Sequence, residues 1–105
     1  MTLRPLKYRN IRTLVDGVLF DSQKEARRYS ELKLLERAGK ITGLILQPKY
    51  PIVVNGVKVC TYVADFFYNA QGVDVVEDVK GMKTPIYNLK KKLVRACHGI
   101  EINEV

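Results

Sequence analysis

Two runs of residues decide the fold: Tyr62-Val63-Ala64-Asp65-Phe66-Phe67-Tyr68, and, after Asn69 to Gly72, Val73-Asp74-Val75-Val76-Glu77-Asp78-Val79-Lys80-Gly81. Both are rich in branched and aromatic residues and are separated by turn-forming ones, so both read as strands. Asp65 interrupts the first. A mid-strand aspartate is disfavoured by strand propensity and by desolvation, so either its face meets water at a sheet edge or a metal offsets its charge. In the second run, period-two alternation puts Asp78 and Lys80 on one face and Glu77 and Val79 on the other. Antiparallel pairing of Asp65 with Asp78 has an index sum of 143, which centres the turn between Gln71 and Gly72. Cross-strand neighbours lie about 5 Å apart at Cβ. Two carboxylates that close repel unless a cation sits between them.

That juxtaposition has a chemical meaning. Asp65 and Asp78 offer hard oxygen ligands of the kind Mg²⁺ takes. Lys80, on the same face, is placed to orient or help deprotonate a water and to stabilise charge at an attacked phosphate. Taken alone, Asp78-x-Lys80 reads equally well as a surface salt bridge, and it is Asp65 one strand back that gives the pair weight.

Working outward, Thr84 and Pro85 open a helix as N-cap and N1, and Gly99 ends it. Its apolar residues Ile86, Leu89, Leu93 and Ala96 recur at helical spacing, with Lys90, Lys91, Lys92 and Arg95 largely off that stripe. Ile100 to Val105 reads as a short closing strand. On the N-terminal side, Ile41 to Leu46 is a strand, Gln47-Pro48 an edge or bend, and Tyr50 to Val54 and Val57 to Tyr62 flank the hairpin signal Asn55-Gly56. The second hairpin arm is expected to continue to Tyr68, which with the strand after it makes a three-stranded antiparallel meander. An earlier helix starts at Ser22, an N-cap followed three residues later by Glu25, and stops at Gly39. Glu25 falls on the same helical stripe as Tyr29, Leu32 and Leu35, the core-facing one. It serves there either as the capping-box residue alone or as a third metal-side ligand. Arg12 to Phe20 reads as a small hairpin turning at Asp16-Gly17, preceded by a basic arm. The order predicts one mixed α/β domain around a central sheet.

Eighteen Lys and Arg against eleven Asp and Glu leave a net charge of +7 in 105 residues. That balance favours polyanionic partners, nucleic acid first and an anionic membrane second. No apolar run approaches the roughly 20 residues that cross a bilayer, and the basic start lacks the apolar segment of a signal peptide, so a cytoplasmic location is expected. Cys60 and Cys97 lack metal-ligand spacing and read as buried reduced thiols, and His98 alone beside them does not complete a zinc site.

The segments Phe20-Asp21-Ser22-Gln23-Lys24-Glu25-Ala26, Tyr62-Val63-Ala64-Asp65-Phe66 and Val76-Glu77-Asp78-Val79-Lys80-Gly81, in this order and spacing, resemble the PD-(D/E)XK, or restriction-endonuclease-like, nuclease superfamily. The pattern is closest to compact members with a helix glutamate, such as phage junction-resolving endonucleases and transposon-end nucleases. The resemblance spans roughly residues 18 to 105. It implies a restriction-endonuclease-like core, Glu25, Asp65, Asp78 and Lys80 as catalytic or metal-binding residues, Mg²⁺ or Mn²⁺ as cofactor, and hydrolysis of phosphodiester bonds in DNA. Branched DNA in phage replication or recombination is the expected substrate. Ala64 stands where the family usually has proline, and Asp78 where glutamate is commoner. Glu77 beside it competes for the ligand role, and strand parity favours Asp78.

Arg27, Arg28, Lys83, Thr84, Lys90, Lys91, Lys92 and Arg95 are the candidates for contact with DNA phosphates, the second helix N-terminus being itself a favourable anion site. Tyr87 either stacks on a base or caps the core, and the core is favoured. Many compact nucleases of this type resemble homodimers, and the arm and first hairpin are the segments for an exchange between protomers. A non-catalytic nucleic-acid-binding module on the same fold, or a basic surface that docks an acidic protein, are the competing readings.

Overall fold

The computed structural model describes residues 11–80 and 83–105. The basic arm falls mostly outside them. The elements run β1 (Thr13–Val15), β2 (Val18–Phe20), α1 (Gln23–Arg37), β3 (Thr42–Leu46), β4 (Lys49–Val54), β5 (Val57–Val63), β6 (Phe66–Ala70), β7 (Val73–Asp78), α2 (Pro85–His98) and β8 (Ile102–Glu104). The result is an α/β protein with a mixed central sheet of order β3-β6-β7-β8 and two helices. β7 runs antiparallel to β6 and parallel to β8.

The long hairpin forms where Asn55-Gly56 predicts it. Both residues take positive φ, 49° and 77°, as a type I′ turn requires. Its arms do not run straight. In β3–β6 at Ile45 and Leu46, and in β4–β5 from Lys49 to Ile52, paired residue numbers sum to 112, so both ladders belong to one register. Between them the two chains crease together: Gln47 takes a positive φ of 51°, its amide donates to Asp65 O (3.0 Å), and the Ala64 amide donates to Pro48 O (3.1 Å). The expected unbroken arm from Val57 to Tyr68 is therefore two strands in two sheets. Pro48 has no amide to donate, and Ala64 and Asp65 are the small and polar residues at the bend. The meander survives as β3–β6–β7, with β4–β5 folded away as a separate ribbon.

The β6–β7 register is as expected. Phe66 faces Glu77, Phe67 faces Val76 and Tyr68 faces Val75, each pair summing to 143. The turn lies at Gln71 and Gly72, with φ of 53° and 88°.

The two faces of the sheet carry separate cores. Phe20, Ala26, Tyr29, Leu32, Ile41, Phe66, Tyr68 and Val79 pack α1 and the β1–β2 hairpin on one face. Ile52, Tyr62, Ala64, Val76, Val94 and Ile102 pack α2 and the β4–β5 ribbon on the other. Ser22 caps α1, accepting from the Glu25 amide at 3.1 Å, and Thr84 caps α2 in the same way through Tyr87 N. The stripe expected on α2 is corrected. Ile86 and Leu89 are 67% and 57% exposed, while Val94 is fully buried, because the ribbon lies against the side of α2 carrying Val94, with Tyr87 and Leu93 packed beside it. On α1, Leu35 lies at the exposed margin rather than in the core. Neither thiol is buried as expected: Cys60 is half-buried and Cys97 exposed, where it approaches Val53 O at 3.7 Å. Among the described residues no helix is long and apolar enough to cross a membrane.

Candidate active site

Asp65 sits on the crease, one residue before β6, and Asp78 is the last residue of β7. They meet where the ladder ends. The Asp65 amide donates to Glu77 O at 3.1 Å and to Asp78 Oδ1 at 3.0 Å. In return, Asp65 Oδ2 accepts from the Val79 amide at 2.7 Å. Side chains thus replace the next ladder rung, and each aspartate is held by backbone next to the other. The two residues are 3% and 1% exposed. Adjacent buried carboxylates are costly, and the backbone amides, acting as dipole donors, offset part of that cost.

Lys80 follows on an irregular stretch tied to β8: the Val105 amide donates to Asp78 O and the Lys80 amide to Val105 O. Lys80 Nζ lies 3.5 Å from Asp78 Oδ2. It also lies 3.9 Å from the centroid of the Tyr87 ring on α2. Tyr87 OH donates to Glu104 Oε2 at 2.7 Å, and Glu104 Oε1 holds Lys83 at 3.0 Å and Lys91 at 3.3 Å. Burial, then the bond to Glu104, raises the Tyr87 pKa well above the ordinary phenol range. Tyr87 with Lys83 and Lys91 holds the Glu104 carboxyl down at about 2.

Glu77 points to the opposite face, as alternation requires. It is fully buried and takes both donors of the Arg28 fork, Nε at 2.8 Å and Nη2 at 2.7 Å, together with the Tyr68 hydroxyl. The Glu77 bond raises the Arg28 pKa. Burial and then Glu77 push Tyr68 up to about 12. This bidentate pair anchors α1 to β7.

Glu25 is 1% exposed at the third residue of α1, on the face of the helix that meets the sheet. Its neighbour Lys24 donates from Nζ to Lys80 O at 2.9 Å, so the start of α1 reaches the end of β7. Asp21, just before the cap, is a further buried carboxylate. Among the described residues no three His, Cys, Asp or Glu side chains form a metal-ligand group. At the end of β7, Asp65 and Asp78 lie together. A pair of carboxylates fits Mg²⁺, which takes one or two and completes its shell with water and substrate phosphate oxygens.

Of the phosphate-contact candidates, four face carboxylates: Arg28 with Glu77 and Glu31, Lys83 and Lys91 with Glu104, and Arg95 with Glu101 at 3.2 Å. Arg27, Lys90 and Lys92 make no ion pair among the described residues, and Thr84 is spent on its own helix cap. Lys24, Arg27 and Arg28 line a cleft of about 290 Å³ beside Val79. Tyr87 packs against the core, as favoured from the sequence, whereas its contact with Lys80 and the place of Glu104 in this neighbourhood were not foreseen. The helical position of Tyr87, between the apolar stripe and the lysines, was the available signal, whereas the approach of β8 to α2 had none.

The chain belongs to the family described as protein of unknown function, DUF1064, whose profile matches residues 5–102. No match was found among curated proteins or among solved structures.

Proposed function

Starting from a DUF1064 member with this site, we propose that the protein is a Mg²⁺-dependent DNA endonuclease on a restriction-endonuclease-like core, acting on branched DNA, with Mn²⁺ as an alternative metal. The observation that carries the reading is the reciprocal lock of Asp65 and Asp78. Two buried carboxylates are held side by side, Asp78 Oδ1 by the Asp65 amide and Asp65 Oδ2 by the Val79 amide, with Lys80 Nζ 3.5 Å from Asp78 Oδ2. A structural role gives no reason to bury two adjacent acids beside a lysine on a chain of net charge +7.

In this reading Asp65 and Asp78 would hold the metal, with Glu25 at the head of α1 as a third ligand. When bound, Mg²⁺ supplies Lewis acidity at the phosphate and makes water a usable nucleophile near neutral pH. Lys80 holds an attacking water in line or stabilises charge on the phosphate. Arg27, Lys90 and Lys92 take neighbouring phosphates of the strand. Two protomers would place two sites on two strands.

The test is incubation with branched, linear and single-stranded DNA in Mg²⁺, Mn²⁺ or EDTA. Cleavage is expected with either metal, none in EDTA, and a loss on the order of a hundredfold or more for Asp78→Ala or Lys80→Ala. Binding without cleavage in any metal, or equal cleavage by Asp78→Ala, overturns the enzyme reading and leaves a non-catalytic nucleic-acid-binding module.

A further inference from the structure

Lys80 lies just past the end of β7, outside any strand, and the segment that follows it leads to α2. A lysine has four rotatable side-chain bonds and loses rotamer entropy when its ammonium is fixed. Something must hold its ammonium if it is to act at a fixed point. Asp78 is one partner, but at 3.5 Å that contact fixes distance more than direction. The Tyr87 ring is another. Its centroid lies 3.9 Å from Nζ, where the negative face of the ring attracts a cation.

Tyr87 is itself fixed from two sides. Its ring packs beside Tyr62 at a centroid distance of 6.5 Å, and its hydroxyl is tied to Glu104 at 2.7 Å. Glu104 is in turn clamped by Lys83 and Lys91. A continuous set of contacts thus runs from the α2 lysines through Glu104 and the Tyr87 hydroxyl to the ring and on to the Lys80 ammonium.

We propose that Tyr87 is a positioning residue that aims Lys80 at the Asp65–Asp78 pair through the face of its ring, with Glu104 holding the ring in place. The role in turnover rests on the nuclease reading, whereas the aiming of Lys80 does not. The ring face is the working part. The hydroxyl serves only to fix it, so phenylalanine is a partial substitute and leucine is not.

Two measurements on the full chain test this. The first is ¹³C reductive methylation, with the Lys80 dimethylamine signal assigned by its absence in Lys80→Arg. A ring over the ammonium shifts that signal upfield. The shift is expected in the wild type, is retained in large part by Tyr87→Phe, and disappears in Tyr87→Leu while the remaining lysine signals stay in place. An unshifted Lys80 signal in the wild type, or an unchanged shift in Tyr87→Leu, overturns the proposal. The second is DNA cleavage in Mg²⁺. Tyr87→Leu is expected to lower kcat roughly three- to thirtyfold with KM for DNA little changed, and Tyr87→Phe to recover most of it. A Tyr87→Leu enzyme with wild-type kcat, or a loss confined to KM, overturns the positioning role. If no DNA is cut by any form, the nuclease reading falls and the lysine signal alone decides the geometry of Lys80.

Discussion

Asp78 accepts a hydrogen bond from the Asp65 amide through one oxygen, and asparagine at this position retains an acceptor there. Asp78→Asn also removes one of two adjacent buried charges. In EDTA its thermal midpoint is expected to hold or rise if relief of that repulsion outweighs the lost 3.5 Å contact with Lys80, and on the proposed nuclease reading its cleavage activity is expected to be lost; calorimetry and a cleavage assay on both proteins check this. A fall of several degrees would show that the carboxylate stabilises the fold rather than waiting on a cation. Glu77, one residue away, faces the other side of the sheet. Its charge is satisfied by Arg28 and Tyr68, so Arg28→Met should cost about 3–5 kcal/mol by urea unfolding, because it strands a buried carboxylate. Adding Glu77→Leu should return most of that loss, since a buried ion pair replaced by apolar side chains is close to neutral.

At the scale of elements, Glu104 ties β8 to α2 through Tyr87 and Lys91. Glu104 has its pKa depressed to about 2 by Tyr87, Lys83 and Lys91, against an ordinary value of 4.5. A depressed folded-state pKa gives stability that is fully present above the unfolded value and is lost as pH falls through the folded one. Wild type should therefore exceed Glu104→Gln by about 1 kcal/mol at neutral pH, after allowance for solvent screening. The gap should close between pH 4.5 and 2; urea titrations across that range measure it. The crease is the other element-scale feature. Asn55-Gly56, and Asn69 with Gly72, announce their turns because positive φ and side-chain turn bonds select such residues locally. The bend at Gln47-Pro48 was legible as a break, but its partner at Ala64–Asp65 was not. A crease across two chains is a property of their pairing, and neither segment encodes it alone.

At the scale of the molecule, the phosphate candidates among the described residues are not all open to a polyanion. Of seven Lys and Arg candidates, Arg28, Lys83, Lys91 and Arg95 face carboxylates. Binding to duplex DNA, followed by anisotropy as salt is varied, should give a log–log slope near about −3 if only the other three neutralise phosphates, against about −6 if all seven do. The steeper slope would mean that the carboxylates release their partners when DNA binds.

Several features follow from the sequence by itself: the two helices and their caps, the three turns, the β6–β7 register, and the shared face of Asp78 and Lys80. Each rests on local chemistry or on strict period-two geometry, which a linear pattern carries without loss. The tertiary structure decided what depends on remote segments meeting. It creased the long hairpin so that Asp65 lies at a corner, and turned α2 to bury Val94 while Ile86 stays exposed. It set Arg28 on Glu77 and brought β8 against α2, so that Glu104 fixes Tyr87 beneath Lys80. Ion pairs, ring faces and the side of a helix that packs are settled by which surfaces exclude water together.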